Sequence, residues 1–234
     1  MKVMSFNTQH CLDYINGQID FELMARVIRE SGAEIVGLNE MRGEGEIEDY
    51  TDQVLALSRL SGLENYYFAK AIDVGGKNAP YGNGFLSKYP IVSAETVMIP
   101  DPEVKRVDGR YYETRCILAA ELSCGITVLV THFGLNPEEQ ENAVRTVLEN
   151  LKNERCILMG DFNVRPDNAV LAPIRERLVD AATLFEGERL SFPSDKPNRK
   201  IDYIFVTPDL TLLSADIPAV VASDHRPHLA EISY

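Results

Sequence analysis

The sequence predicts an α/β protein with more strands than helices, and three observations carry that reading. The first is the run Arg155-Cys-Ile-Leu-Met-Gly-Asp-Phe-Asn163, in which residues 156–159 pass without a polar break into Gly160. A continuous apolar run of this length reads as a strand buried on both faces. The second is an amphipathic helix over residues 20–32, set between apolar runs at 2–6 and 35–38. Strand, helix and strand in that order make a layered unit. The third is the balance along the chain, where four helical segments alternate with a larger number of short strand-like ones.

Taken in order, residues 2–6 form a short strand ending at Asn7. The 20–32 helix has Asp20 as N-cap, apolar residues at 21, 23, 24, 27 and 28, and Gly32 as C-cap. A buried strand over 35–38 ends in Asn39-Glu40. Residues 49–60 read as a second helix with Val54, Leu55, Leu57 and Leu60 on its apolar side. Residues 66–71 are a strand, 73–81 a polar loop, and 82–87 and 91–98 two strands around Lys88-Tyr-Pro90. A charged loop follows at 100–109, and 111–122 and 126–131 form a hairpin turning at Ser123-Cys-Gly125. Pro137 opens a third helix, carrying Val144, Val147, Leu148 and Leu151. After the central strand a fourth helical segment spans 168–178, residues 180–200 are irregular, and strands at 201–207, 210–213 and 226–232 close the chain. With no repeat, low-complexity tract or linker, residues 1–234 read as one domain.

Composition limits the function classes. Hydrophobic residues make up 45% and charged residues 25% of 234, enough apolar content for a full core. No apolar run reaches the length of a bilayer crossing, and the N-terminus passes directly into a strand, so the sequence predicts a cytoplasmic protein. Cys11, Cys116, Cys124 and Cys156 show neither CxxC pairing nor zinc-like spacing with histidine, and read as reduced, structural thiols. The formal net charge is -13, and both halves of the chain are acidic. Duplex binding draws much of its affinity from cationic contacts to phosphate, so this balance disfavours nucleic acid as substrate.

The chemistry lies at the strand ends. Asp161 and Asn163, two apart at the end of the central strand, can face one ligand. A carboxylate beside a carboxamide grips a hard cation, a phosphate oxygen or an attacking water, although the pair could equally form an Asx turn that caps backbone groups. Gly160 permits a sharp turn there. Asn7, Glu40, Asn83, Arg115, His132, Asp202, Asp224 and His225 likewise sit in or just after apolar segments. Polar groups in such places cost free energy unless paired or used. Each alone has a structural explanation, as a turn residue, a cap or a cross-strand partner; ten together point to a shared site.

Ser5-Phe-Asn7, Leu38-Asn-Glu40, Gly82-Asn-Gly-Phe-Leu-Ser-Lys-Tyr-Pro90, Glu113-Thr-Arg115, Thr131-His132, Gly160-Asp-Phe-Asn163, Ile201-Asp-Tyr-Ile204 and Ser223-Asp-His225 occur in an order that resembles the endonuclease/exonuclease/phosphatase superfamily, the DNase I-like metal-dependent phosphohydrolases. The resemblance covers essentially the whole chain. It implies a four-layer sandwich of two packed mixed β-sheets flanked by helices. It also implies roles. Glu40 would be the main carboxylate ligand of Mg²⁺ or Mn²⁺, with Asn7 and Asp224 supporting it. Asp161 would orient and deprotonate the attacking water, and Asn163 would hold that water and a phosphate oxygen. His225, held by Asp202, would present a charged donor, His132 would make a second phosphate contact, and Arg115 and Asn83 would organise the pocket. Asn39 stands where the family usually has glutamine, a residue expected to support Glu40. Gln9 stands where some family nucleases have an acid, and His10 and His228 read as structural.

The resemblance implies a phosphoester substrate and leaves its leaving group open. Two basic stretches, Lys196-Pro-Asn-Arg-Lys200 and Lys105-Arg106 with Arg110, read either as solvated loop charge or as a rim recognising a second phosphate. The chain has no Trp to wedge into a duplex. A small molecule or lipid headgroup is therefore the expected substrate class. The alternatives are a nuclease of the same fold and, less favoured, a non-catalytic binding module, which would lack one of Glu40, Asp161, Asn163, Asp202 or His225.

Overall fold

A computed structural model describes residues 1–103 and 112–234, and among these, twelve strands form two six-stranded mixed sheets. In chain order the elements are β1 (Lys2–Asn7), α1 (Phe21–Ser31), β2 (Ile35–Arg42), α2 (Gln53–Ser61), β3 (Asn65–Asp73), β4 (Pro80–Ser87), β5 (Ile91–Met98), β6 (Cys116–Leu122), β7 (Thr127–His132), α3 (Pro137–Asn150), β8 (Cys156–Asp161), α4 (Ala172–Arg175), β9 (Val179–Asp180), β10 (Asp202–Val206), β11 (Thr211–Asp216) and β12 (His228–Ser233). The first sheet runs β11-β12-β1-β2-β4-β3 and the second β5-β6-β7-β8-β10-β9.

Three apolar clusters define the layers. Val3, Ile35, Phe85, Val128, Val130, Ile157, Met159 and Ile204 pack between the sheets. Met4, Phe6, Val36 and Leu38 face the other way, against Met24 and Ile28 of α1 and Val54 and Leu57 of α2. Leu129, Leu158, Tyr203 and Phe205 meet Val144 and Val147 of α3. Successive residues of β1, β2 and β8 thus enter different cores, which is why these strands are apolar throughout. The result is a DNase I-like α/β sandwich.

Each sheet contains one parallel pair joined by a covering helix, β1-α1-β2 in the first and β7-α3-β8 in the second. Parallel strands bring their C-terminal ends to one side. Their antiparallel neighbours β12, β4, β6 and β10 therefore arrive at that same side with their N-terminal ends. Nine of the ten polar residues scattered along the sequence sit at one rim for this reason.

Helix α1 is bounded as the sequence indicates, with Leu23 N donating to Asp20 Oδ1 at 2.8 Å and Gly32 left-handed at φ 68°. Helix α2 begins later than the apolar pattern predicts because Asp52, four residues in, is the N-cap. The expected helix over 168–178 is reduced to a 3₁₀ turn at Ala169–Leu171 and the single turn of α4, where Pro173 allows only a helix start. The strand expected from 111 begins at Cys116; Tyr111, with the basic residues Lys105, Arg106 and Arg110, lies outside the described residues. Among the described residues no helix is long and apolar enough to cross a membrane.

Candidate active site

Asp161 is the hub, at the C-terminal end of β8 and only 1% exposed. Gly160 before it does not turn the chain. It is a strand residue whose φ of 146° and lack of Cβ let Thr131 O pass 1.8 Å from where a Cβ would stand. That approach holds β7 and β8 in register, with His132 opposite Asp161. Beyond Asp161 the chain leaves the strand, and Asn163 adopts φ 54°. The Asx turn forms, with Asn163 N donating to Asp161 Oδ1 at 2.9 Å. Oδ2 is left facing the site, so the turn reading and the site reading both hold. Asn163 reaches that site through the turn and not through strand alternation.

Three groups surround Asp161 Oδ2. Asn7 Nδ2 donates to it at 3.1 Å and also to Glu40 Oε1 at 3.0 Å. His132 Nε2 lies 3.4 Å away and His225 Nε2 3.6 Å away. On its other side His225 Nδ1 is bonded to Asp202 Oδ2 at 2.9 Å, and strand pairing sets Asp202 directly opposite Asp161. Burial pushes the Asp161 carboxyl up to about 7, with the Asp202 charge adding to it and His225 opposing. Burial disfavours a charged His225, but the carboxylates of Asp202 and Asp161 outweigh it and hold the imidazolium up at about 10.

His132 is a different kind of histidine. Its Nδ1 lies 2.9 Å from Arg115 Nη1, and a guanidinium can only donate, so Nδ1 accepts. The ring proton of neutral His132 therefore sits on Nε2, aimed at Asp161 Oδ2. Asn163 Nδ2, 3.1 Å from that same nitrogen, then gives its hydrogen to Phe133 O at 3.0 Å. Burial, with the charges of Arg115 and His225 behind it, holds His132 well below the usual imidazole range. Arg115 is itself paired with Glu113 at 2.9 Å. One imidazole is cationic and the other neutral, and both point a donor at one carboxylate.

Asn39 and Asn83 do something the sequence did not reveal. Asp161 N donates to Asn39 Oδ1 at 2.9 Å, and Asn39 Nδ2 donates to Asn83 Oδ1 at 2.8 Å and Thr131 O at 3.0 Å. Asn83 Nδ2 in turn donates to Cys116 O at 2.9 Å. Two carboxamides of the first sheet thus fasten three strands of the second. The sequence leads one to expect Asn39 to support Glu40; two of its bonds go to the opposite sheet and one to Asn83 beside it, because its side chain faces the interior while Glu40 is twisted outward at φ 62°.

Glu40 faces Tyr81, whose phenol is pushed up by burial and by the Glu40 carboxylate to which it is bonded. Asp224 lies near: burial raises its carboxyl and the Glu40 charge adds to the rise, while His225 opposes. Two carboxylates that repel each other offer hard oxygen donors, which fits Mg²⁺ or Mn²⁺, while Asn7 turns its Nδ2 to Glu40 and its Oδ1 accepts from Gln9 N at 3.1 Å. A second group, Asp161, Asp202 and His225, places its ligand atoms within 4.8 Å of one another, but these atoms are already paired as carboxylates and imidazolium. Asp202 Oδ1 is buried with no hydrogen-bond partner.

Sequence reasoning missed three further residues. Phe192 packs its ring 4.7 Å from that of His225, and Ser194 N donates to Asp224 O at 2.7 Å, so the 191–194 loop clamps the Ser223-Asp-His225 segment. Tyr81 is the third; none carries a pattern that marks it in the sequence. Of the histidines left aside, His10 O accepts from Gln53 Nε2 at 2.9 Å, and His228 is buried against Phe185.

No curated protein matches the sequence. Solved structures do. An endonuclease/exonuclease/phosphatase from Beutenbergia cavernae superposes with TM-score 0.77 at 23% identity, over 99% of this chain and 71% of that one. A mannosyl-6-phosphatase from Bacteroides thetaiotaomicron gives TM-score 0.76 at 18% identity, covering all of both chains. The human Nocturnin catalytic domain, solved with a bound sulfate anion, gives 0.72 at 19% identity over 100% of this chain and 94% of that one. The model of the Endonuclease/Exonuclease/phosphatase family matches residues 4–225, from within β1 to His225, and the chain belongs to that family.

Proposed function

We propose that the protein is a divalent-cation-dependent phosphoester hydrolase acting on a small phosphorylated molecule. The observation that carries this reading is Asp161: one buried carboxylate with a cationic donor on one side, a neutral donor on another and Asn7 bridging it to Glu40.

Glu40, Asn7 and Asp224 would hold Mg²⁺ or Mn²⁺, which supplies positive charge to a phosphate oxygen. Asp161 Oδ2 takes the proton of the attacking water as the new P–O bond forms and the bond to the leaving oxygen breaks. Its raised pKa makes it a stronger base than an exposed carboxylate. His225, fixed in orientation by Asp202, donates Nε2–H to the phosphoryl oxygens, where charge accumulates. His132, kept neutral by Arg115, donates without adding charge, and Asn163 completes the ring of donors. Asn83 holds the pocket walls together.

The net charge of -13 supports a small substrate over duplex nucleic acid. Hydrolysis of p-nitrophenyl phosphate and bis-p-nitrophenyl phosphate, each with Mg²⁺, Mn²⁺ or EDTA, tests the reading. Turnover with metal that EDTA abolishes is expected, and equal rates in EDTA would overturn the metal assignment.

A further inference from the structure

The basic stretch at 196–200 divides in the fold: Lys196 is exposed and Lys200 turns inward. Lys200 is 5% exposed, its Nζ has no hydrogen-bond partner, and it lies 3.3 Å from the centroid of the Tyr203 ring. A buried ammonium with unfilled donors is costly, and a cation–π contact recovers only part of that cost. Lys200 belongs to the lining of a cavity of about 420 Å³ whose walls also carry Arg165, Arg189 and Arg199 against Asp167 and Glu188. Arg189 is held by Asp216 at 2.6 Å, whereas Arg165 and Arg199 have no ion pair among the described residues. The cavity keeps a surplus of positive charge in a protein that is strongly acidic overall.

It also adjoins the active site. Arg165 follows Asn163 by two residues across a bend, and Lys200 precedes Asp202 by two. The Arg199 guanidinium stands 5.1 Å above the Phe192 ring, whose other neighbour is His225. We propose that this cavity is a second phosphate subsite, with Arg165 and Arg199 as direct contacts and Lys200 as a fixed positive floor, so that the substrate carries a phosphate besides the one hydrolysed. Arginine forks match the tetrahedral dianion geometrically. The inference rests on the hydrolase reading for its substrate and on the cavity alone for its ligand.

The test has two arms. Inorganic phosphate is titrated into metal-free protein while the Arg165 and Arg199 Nε–H resonances are followed by ¹⁵N NMR. Saturable shifts are expected, with affinity falling at least tenfold in Lys200→Met. Unmoved resonances, or equal affinity in a folded Lys200→Met, would overturn the subsite. In the second arm KM is compared for glucose 1-phosphate and glucose 1,6-bisphosphate. At least a fivefold lower KM for the bisphosphate is expected, with the ratio falling toward one in Arg165→Ala/Arg199→Ala; a ratio of one in the unaltered protein would refute the substrate assignment. Absence of turnover on either ester overturns the hydrolase reading alone, since the phosphate titration decides the cavity independently.

Discussion

At the scale of single residues, opposite protonation requirements act on one carboxylate. As the proposed base, Asp161 would have to be ionised to take a proton, and its carboxyl, pushed up to about 7, predicts an acid limb of activity near that pH, which a bound cation would draw lower. As the proposed charged donor, His225 would have to stay protonated, which predicts loss of activity above about pH 10. Replacing Asp202 by Asn removes the largest influence holding that charge. Burial then prevails, and the alkaline limb of kcat/KM moves to lower pH, with a rate loss on the order of 10- to 100-fold. A pH–rate profile of Asp202→Asn checks this; an unmoved alkaline limb would contradict it. Arg115→Met frees His132 Nδ1, and ¹⁵N NMR is expected to find the Nε2–H tautomer dominant in the parent and a mixture in the variant. Lys200 has a folded pKa of about 8 against 10.5 in the unfolded chain. Between those values only the unfolded chain holds the proton, so stability rises with pH there, and below 8 the cost of the buried charge is fully present. Lys200→Met should therefore raise stability at pH 7 by about 2 kcal/mol, or ~4–8 °C in Tm, with the gain shrinking toward pH 10.5.

At the scale of elements, the two parallel pairs are what the site depends on. A Cβ at Gly160 would collide with Thr131 O at 1.8 Å, and backbone cannot yield as a side chain can. Gly160→Ala should cost roughly 3 kcal/mol or more, read by denaturant unfolding, with the β7–β8 register lost before the rest. Legibility differed among elements for physical reasons. Helix α1 was readable because its cap residues and apolar face lie within the segment itself. Residues 168–178 kept an apolar spacing but are cut short at Pro173, and the pattern alone did not weigh that. Gly160 and Asn39 were misread because their reasons are partners 29 and 122 residues away, Thr131 O and Asp161 N.

At the scale of the whole molecule, the sandwich and nine of the ten polar residues' shared rim follow from strand direction, and the tenth, Asn163, arrives by its turn. The motifs were legible because each is a short polar signature after an apolar strand. Tyr81, Phe192 and the inward turn of Lys200 were not, since ordinary residues acquire those positions only when distant loops close. Hydrolysis as proposed depends on Asp161 acting as the base. The most direct measurement is turnover of p-nitrophenyl phosphate in saturating Mg²⁺ by Asp161→Asn, with thermal unfolding run alongside to establish that the variant is folded. A loss of about 10³-fold or more with Tm preserved is the predicted result. Near-parental turnover by a folded variant would contradict it and move the base elsewhere.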